Sequence, residues 1–314
     1  MADVISANGV CRKRSKVEVL RTPEDRFVDL AGFSYSALYI DDIKGFEGLR
    51  MHYIDEGPRD ADHIFLCLHG EPTWSYLYRR MIPVFTDAGH RVVAPDFFGF
   101  GRSDKPLDES VYTFDFHRSA LIEFIEYLNL KNITLVCQDW GGIIGLTLPM
   151  DMTDRFSRLL VMNTTLGTGD VPLSKGFFDW RAWVGKNPDL SAGRLLKLTC
   201  PHLSEEECAA YDAPFPDIKY KAGVRRFPEI VPDSPDSPGA ELSRRAREWL
   251  RSKWNGLAFM AIGMKDPVLG PPVMQALRND IRNCPVPFEH FEAGHFVQEW
   301  GEEIAREALA TFAE

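Results

Sequence analysis

The chain has 314 residues, 45% of them hydrophobic and 26% charged, which is enough for a sizeable core and excludes a disordered or low-complexity polymer. A formal net charge of −10 argues against nucleic acid and anionic membrane as partners. No run reaches the roughly 18 consecutive apolar residues of a membrane span.

Residues 1–20 read as a loose N-terminal arm. It carries Arg12-Lys13-Arg14 but no apolar stretch of signal-peptide length, so a cytoplasmic location is expected. Further along, short apolar runs alternate with helical spacing. Ile64–Leu68 and Arg91–Ala94 are apolar runs, and Tyr76–Phe85 between them has helical spacing. Leu121, Phe124, Ile125 and Leu128 then recur at helical intervals. Ile133–Cys137 is β-branched and apolar, a helix-compatible stretch begins at Gly141, and Leu159–Met162 is another strand candidate. Continuous apolar strands alternating with helices predict a mostly parallel sheet covered on both faces, an α/β fold.

The alternation stops between Gly167 and Arg245, where Pro, Gly, aromatic and charged residues dominate. It resumes with strand-like Leu257–Ile262, helix-like Val273–Asn279, strand-like Val286–Phe291 and helix-like Val297–Phe312. The expected division is a core of residues 21–166 and 246–314, interrupted by a helical cap at 167–245. An insertion after a strand's carboxyl end lies where open α/β sheets bind ligands, so a lid is its natural role.

The six cysteines, Cys11, Cys67, Cys137, Cys200, Cys208 and Cys284, form no Cys-x-x-Cys pair and no zinc spacing. They read as thiols of a reducing compartment.

Gln138-Asp139-Trp140-Gly141-Gly142 follows a buried strand and opens a helix. Cys137 stands two before Asp139 and Gly141 two after, the small-x-nucleophile-x-small pattern of a nucleophile elbow. The same aspartate would also serve as an ordinary helix cap. No Gly-x-Ser-x-Gly occurs, which argues against a serine hydrolase. His295, in the loop after the last strand candidate, is the best placed of eight histidines to act as a base. Asp266, after Leu257–Ile262, is the preferred acid over Asn163, which has no charge with which to orient an imidazolium. In the loop His69-Gly70-Glu71-Pro72-Thr73-Trp74, His69 reads as a structural turn histidine. The backbone N–H groups of Glu71 and Trp140 are the candidate oxyanion hole.

With these residues the chain resembles a haloalkane dehalogenase of the α/β-hydrolase superfamily over about Leu20 to Ala313. The carrying motifs are His69–Trp74, Pro95-Asp96-Phe97-Phe98-Gly99-Phe100-Gly101, Gln138–Gly142 and Gly294-His295-Phe296. Glu71, Asp266 and Asn163 resemble the subgroup with an Asp-His-Asp triad and two halide-binding tryptophans. The resemblance implies hydrolysis of a haloalkane to a primary alcohol and halide through a covalent ester on Asp139. His295 is the implied base and Asp266 its acid. Trp140 and Trp180 are the implied halide donors, with Trp183 in reserve. The implied pocket is Ile143, Phe177, Phe227, Pro228, Val231, Val268 and Leu269. The implied partners are a small halogenated alkane and a halide ion, with no cofactor or metal, in a monomer or weak homodimer.

An epoxide hydrolase is the nearest rival, since it shares the triad and needs cap tyrosines, for which Tyr211 and Tyr220 are available. A fluoroacetate-type enzyme would want arginine beside the nucleophile, and residues 140–145 offer none. A catalytically silent binding protein of the same fold would usually have lost a triad member.

Overall fold

A computed structural model of the chain describes residues 18–313. Most of the amino-terminal arm, with Cys11 and Arg12-Lys13-Arg14, lies outside the described residues. The last residues assigned to it are not loose: Val19–Leu20 pairs antiparallel with Lys105–Pro106, and Leu107 N–H donates to Glu18 O at 3.0 Å.

Eight strands form one sheet: β1 Leu38–Ile40, β2 Met51–Glu56, β3 Ile64–Leu68, β4 Arg91–Pro95, β5 Ile133–Cys137, β6 Phe156–Met162, β7 Leu257–Gly263 and β8 Phe288–His290. Their order is β8-β7-β6-β5-β3-β4-β2-β1. Neighbours from β8 to β4 run parallel, whereas β2 is antiparallel to both β4 and β1. Every residue of central β3 and β5 is buried. Both faces are covered by helices, so both faces of these strands must be apolar.

The register decides where chemistry can occur. Leu68 pairs with Cys137, Cys137 with Val161, Met162 with Ala261, and Gly263 with His290. The carboxyl ends of five parallel strands are therefore level. The loops after them carry Glu71, Asp139, Asn163, Asp266 and His295 along one edge.

Several expected elements are divided or shortened, with prolines at the breaks. The Tyr76–Phe85 stretch becomes a 3-10 turn, Ser75–Tyr78, followed by α1 Ile82–Asp87, with Pro83 in the first turn of α1. The Leu121–Leu128 periodicity falls on α2 Phe114–Tyr127. The helix after Asp139 splits into α3 Trp140–Gly145 and α4 Leu148–Asp151, and Pro149 opens the second. The strand expected over Val286–Phe291 shrinks to β8, since Pro287 has no N–H for the ladder.

Residues 167–245 contain more helix than their irregular composition suggested: α5 Lys175–Lys186, α6 Ala192–Thr199, α7 Glu205–Asp212 and the short α8 Ala222–Arg226. Serine side chains cap the first three, from Ser174, Ser191 and Ser204, and Ser204 forms a reciprocal capping box with Glu207. The boundary expected at 245/246 falls inside a continuous helix, α9 Ala240–Ser252, so the chain does not break there. The Pro- and Ser-rich loop of residues 231–239 precedes that helix and lowered its sequence signal.

The cap is held to the core by a buried charge cluster. Arg79 donates to both Glu299 oxygens at 2.7 Å and to Glu207 on α7 at 2.8 Å. Tyr211 O–H also donates to Glu299, and Trp74 Nε1–H donates to Ala210 O at 3.1 Å. The Glu299→Gln substitution leaves Arg79 without its main buried counter-charge. It is expected to destabilise the fold by about 3 kcal/mol, read as a lowered urea midpoint.

Candidate active site

Asp139 occupies the turn between β5 and α3 with φ 50° and ψ −126°, a backbone region few non-glycine residues adopt. The turn is pinned at both ends. Asp139 N–H donates to Asn163 O at 3.0 Å, and Asp139 O accepts from Thr164 Oγ1 at 2.7 Å. The glycines beside it are required by closeness. A Cβ on Gly141 would lie 2.0 Å from Leu68 O, one on Gly142 would meet Thr164, and one on Gly70 would lie 2.3 Å from Asp139 Oδ1.

The carboxylate is half enclosed by donors. Glu71 N–H donates to Oδ1 at 2.9 Å, and the Trp140 N–H also acts on the group. Burial raises the pKa of Asp139 above its ordinary value, while His295 and these two N–H groups act the other way. Beside it the Glu71 side chain is buried, with one oxygen lacking a partner. Burial, and then the charge of Asp139, pushes its pKa well up.

The structure brings His295 and Asp266 to the same point. His295 Nε2 lies 3.7 Å from Asp139 Oδ2, and Nδ1 lies 2.9 Å from Asp266 Oδ2. Burial disfavours the charged ring, but Asp266 and then Asp139 outweigh it and hold the pKa at about 9. Asp266 is itself fixed by N–H groups of Val268 (2.8 Å) and Leu269 (3.1 Å) on Oδ1 and by Asn163 Nδ2 (2.9 Å) on Oδ2. Burial would raise its pKa, but His295, Asn163 and Val268 bring it below the usual value.

A cavity of about 660 Å³ opens over this group. Of the seven expected pocket residues, Ile143, Phe177, Pro228, Val231, Val268 and Leu269 line it. Phe227 does not. It packs behind Trp140 with ring centroids 4.7 Å apart and also touches Phe100 and His117. It opens the 3-10 turn Phe227–Ile230, which sends Pro228 to the cavity and Phe227 to the core. Trp140, Trp180 and Trp183 all line the cavity. The rings of Trp180 and Trp183 stack at 5.5 Å, and Trp183 is the more exposed.

No tyrosine lines this cavity among the described residues. Tyr211 is fully buried against Glu299 and Arg79. His69 is structural: Nε2 accepts from Phe97 N–H at 3.0 Å, so Nδ1 carries the proton given to Gly70 O at 2.9 Å. His52 pairs with Asp96 at 2.7 Å.

Sequence reasoning missed three contributors. Gln138, beside Asp139, reaches His295. Asn163, passed over as an acid, holds Asp266. Helix α10 Pro271–Asp280 supplies Val273, Ala276 and Leu277 to the wall. Its apolar helical face carried a signal, but one that an ordinary core helix shares.

A family model described as alpha/beta hydrolase fold matches residues 63–302. A haloalkane dehalogenase from Psychrobacter cryohalolentis is 44% identical over 304 residues, covering 92% of this chain and 96% of that relative. Another, from Mycolicibacterium paratuberculosis, is 43% identical over 297 residues, covering 94% and 98%. Among solved structures, a tetrameric haloalkane dehalogenase from Paraglaciecola agarilytica superimposes with a TM-score of 0.93 at 55% identity, covering 94% of this chain and 99% of that one.

Neither Trp140 nor Trp180 donates its indole N–H to a protein acceptor among the described residues, and Trp183 is set nearer the surface. Trp180→Phe is expected to weaken bromide binding at least tenfold, and Trp183→Phe by much less. Bromide quenching of tryptophan fluorescence distinguishes the two.

Proposed function

The chain belongs to the haloalkane dehalogenases of the α/β-hydrolase fold, and from that premise we propose which of its residues carry hydrolytic dehalogenation and how. The observation that carries the reading is a part-buried aspartate on a positive-φ turn, facing a largely apolar cavity. Two backbone N–H groups act on it, and a histidine–aspartate pair stands 3.7 Å away.

Asp139 Oδ2 attacks the halogen-bearing carbon in line. The C–O bond forms as the carbon–halogen bond breaks, and the halide leaves with the bonding pair. An anion leaving into a dry cavity needs donors already in place, and the indole N–H groups of Trp140 and Trp180 are donors on apolar plates. Burial also strips Asp139 of water, which suits a nucleophile that must react with an uncharged carbon.

The alkyl ester is then hydrolysed. His295 Nε2 takes a proton from water as its oxygen bonds to the ester carbonyl carbon. The former Oδ1 becomes the oxyanion, already held by the Glu71 N–H and joined by the Trp140 N–H. One such donor is worth roughly 10²–10³ in rate. Asp266 holds the Nδ1–H tautomer and offsets the imidazolium. Collapse of the tetrahedral species releases the alcohol, and a proton leaves to solvent.

The substrate class is a small haloalkane. The cavity wall offers apolar side chains near the nucleophile; besides Glu71, Asp139 and His295 its charged members are Asp179, Arg247 and Asp280, on α5, the helix Ala240–Ser252 and α10. An epoxide hydrolase would place an acidic O–H over the nucleophile, and the two cap tyrosines are elsewhere. The expectation of a monomer or weak homodimer stands beside a tetrameric relative, and sedimentation velocity decides the state of this chain. No helix among the described residues is long and apolar enough to cross a membrane.

His295→Phe is expected to release about one bromide per enzyme from 1,2-dibromoethane and then stop, with the intact mass raised by the alkyl group. Sustained turnover by that variant rejects His295 as the base. Wild-type enzyme given styrene oxide is expected to form no diol.

A further inference from the structure

We propose that Gln138 is a positioning residue that acts through His295: its side-chain amide donates to Nε2 and favours the neutral, base-ready ring. This rests on the role given above to His295. Gln138 is fully buried immediately before the nucleophile. Its Nε2 lies 2.9 Å from His295 Nε2 and 3.1 Å from the backbone O of His295.

The orientation of the amide follows from its partners. A backbone carbonyl only accepts, so the NH₂ end of Gln138 must face His295. Gln298 Nε2 lies 3.4 Å from Gln138 Oε1, which places a donor behind the carbonyl end. The second amide hydrogen is thus presented to the ring nitrogen that accepts the proton of water. That contact is attractive when Nε2 carries a lone pair and repulsive when it carries a proton.

The charged groups around the ring pull the other way. Asp266 faces Nδ1, Asp139 faces Nε2, and Glu71 stands beside Asp139. On the outer side of the same two loops Lys265 and Glu292 pair with each other at 2.6 Å. With two carboxylates on the ring, its protonated form would pair with Asp139 and leave no base for the second step. Gln138 is the neutral donor that opposes this. In the free enzyme it lessens the upward pull of Asp266 and Asp139 on the ring, whose Nε2 stands 3.7 Å from Asp139. Once Asp139 is esterified its charge is gone, and water replaces the amide as the donor to the single lone pair of Nε2, while the amide stays beside the ring on its bond to His295 O. As water's O–H bond breaks and its oxygen bonds to the ester carbon, the proton moves to Nε2. The Gln138 N–H then faces a protonated nitrogen, which favours loss of that proton as product leaves. Throughout, the second bond to His295 O keeps the loop in place.

Gln138→Met keeps the volume and removes the donor, and Gln138→Glu replaces it with an acceptor. In both, the acid limb of the pH–kcat profile is expected to move up by roughly one pH unit, with a roughly tenfold loss below the limb and recovery of rate on the alkaline side. The shift should be larger for Glu. The ¹⁵N NMR titration of His295 in the unliganded enzyme is expected to move in the same direction. A uniform loss at every pH with an unmoved His295 titration overturns the proposal and reduces Gln138 to packing. The His295→Phe halide burst is measured alongside. A normal burst with unmoved pH profiles sinks this inference alone, whereas no burst sinks the underlying reading.

Discussion

A part-buried carboxylate facing a largely apolar cavity is the constraint around which this structure is arranged. Burying a charge without full compensation is costly, and Asp139 has two backbone N–H groups and a histidine at 3.7 Å instead of a close counter-ion. That partial compensation opposes the upward push of burial on its pKa without tying the carboxylate up in a close ion pair. It also dictates the local backbone. The N–H of Glu71 reaches Oδ1 because the β3 and β5 ends are level and because Gly70 has no Cβ to collide with the carboxylate. The α3 N-terminus can approach Leu68 O only because residue 141 is glycine.

His295, the proposed base, is held with equal care, and partly by the same scaffold that anchors the cap. Glu299 lies four residues beyond His295 and accepts both arms of Arg79, while Gln298 lies beside Gln138. The loop that carries the base is therefore braced by the cluster that fastens α7. The other side of the cap is fixed differently. Arg181 on α5 donates to Pro228 O and pairs with Asp233, and a Cβ on Gly176 would lie 2.7 Å from Pro267 O. That close approach brings Phe177 and Trp180 over the core loops.

Much of this was legible in the chain. The buried strands announced themselves as continuous apolar runs, because a parallel sheet covered on both faces leaves no polar side. The position of Asp139 between small residues marked a tight strand-to-helix turn. The cap was harder to read. Its helices are short and are set by serine caps and packing rather than by long periodic faces, so composition alone showed an irregular segment. The boundary expected at 245/246 falls within the continuous helix Ala240–Ser252, whose start the preceding Pro- and Ser-rich loop obscured.

By itself the sequence determined the α/β fold and the family, and it singled out the candidate residues, since backbone periodicity and motif spacing are local properties. Only the tertiary structure decided which groups meet. The facing of Asn163 with Asp266, the reach of Gln138 to His295 and the turning of Phe227 away from the cavity all depend on sheet register and on side-chain direction. Those quantities arise from contacts between segments up to about 160 residues apart, such as Gln138 and His295 at a separation of 157, and no window of sequence contains them.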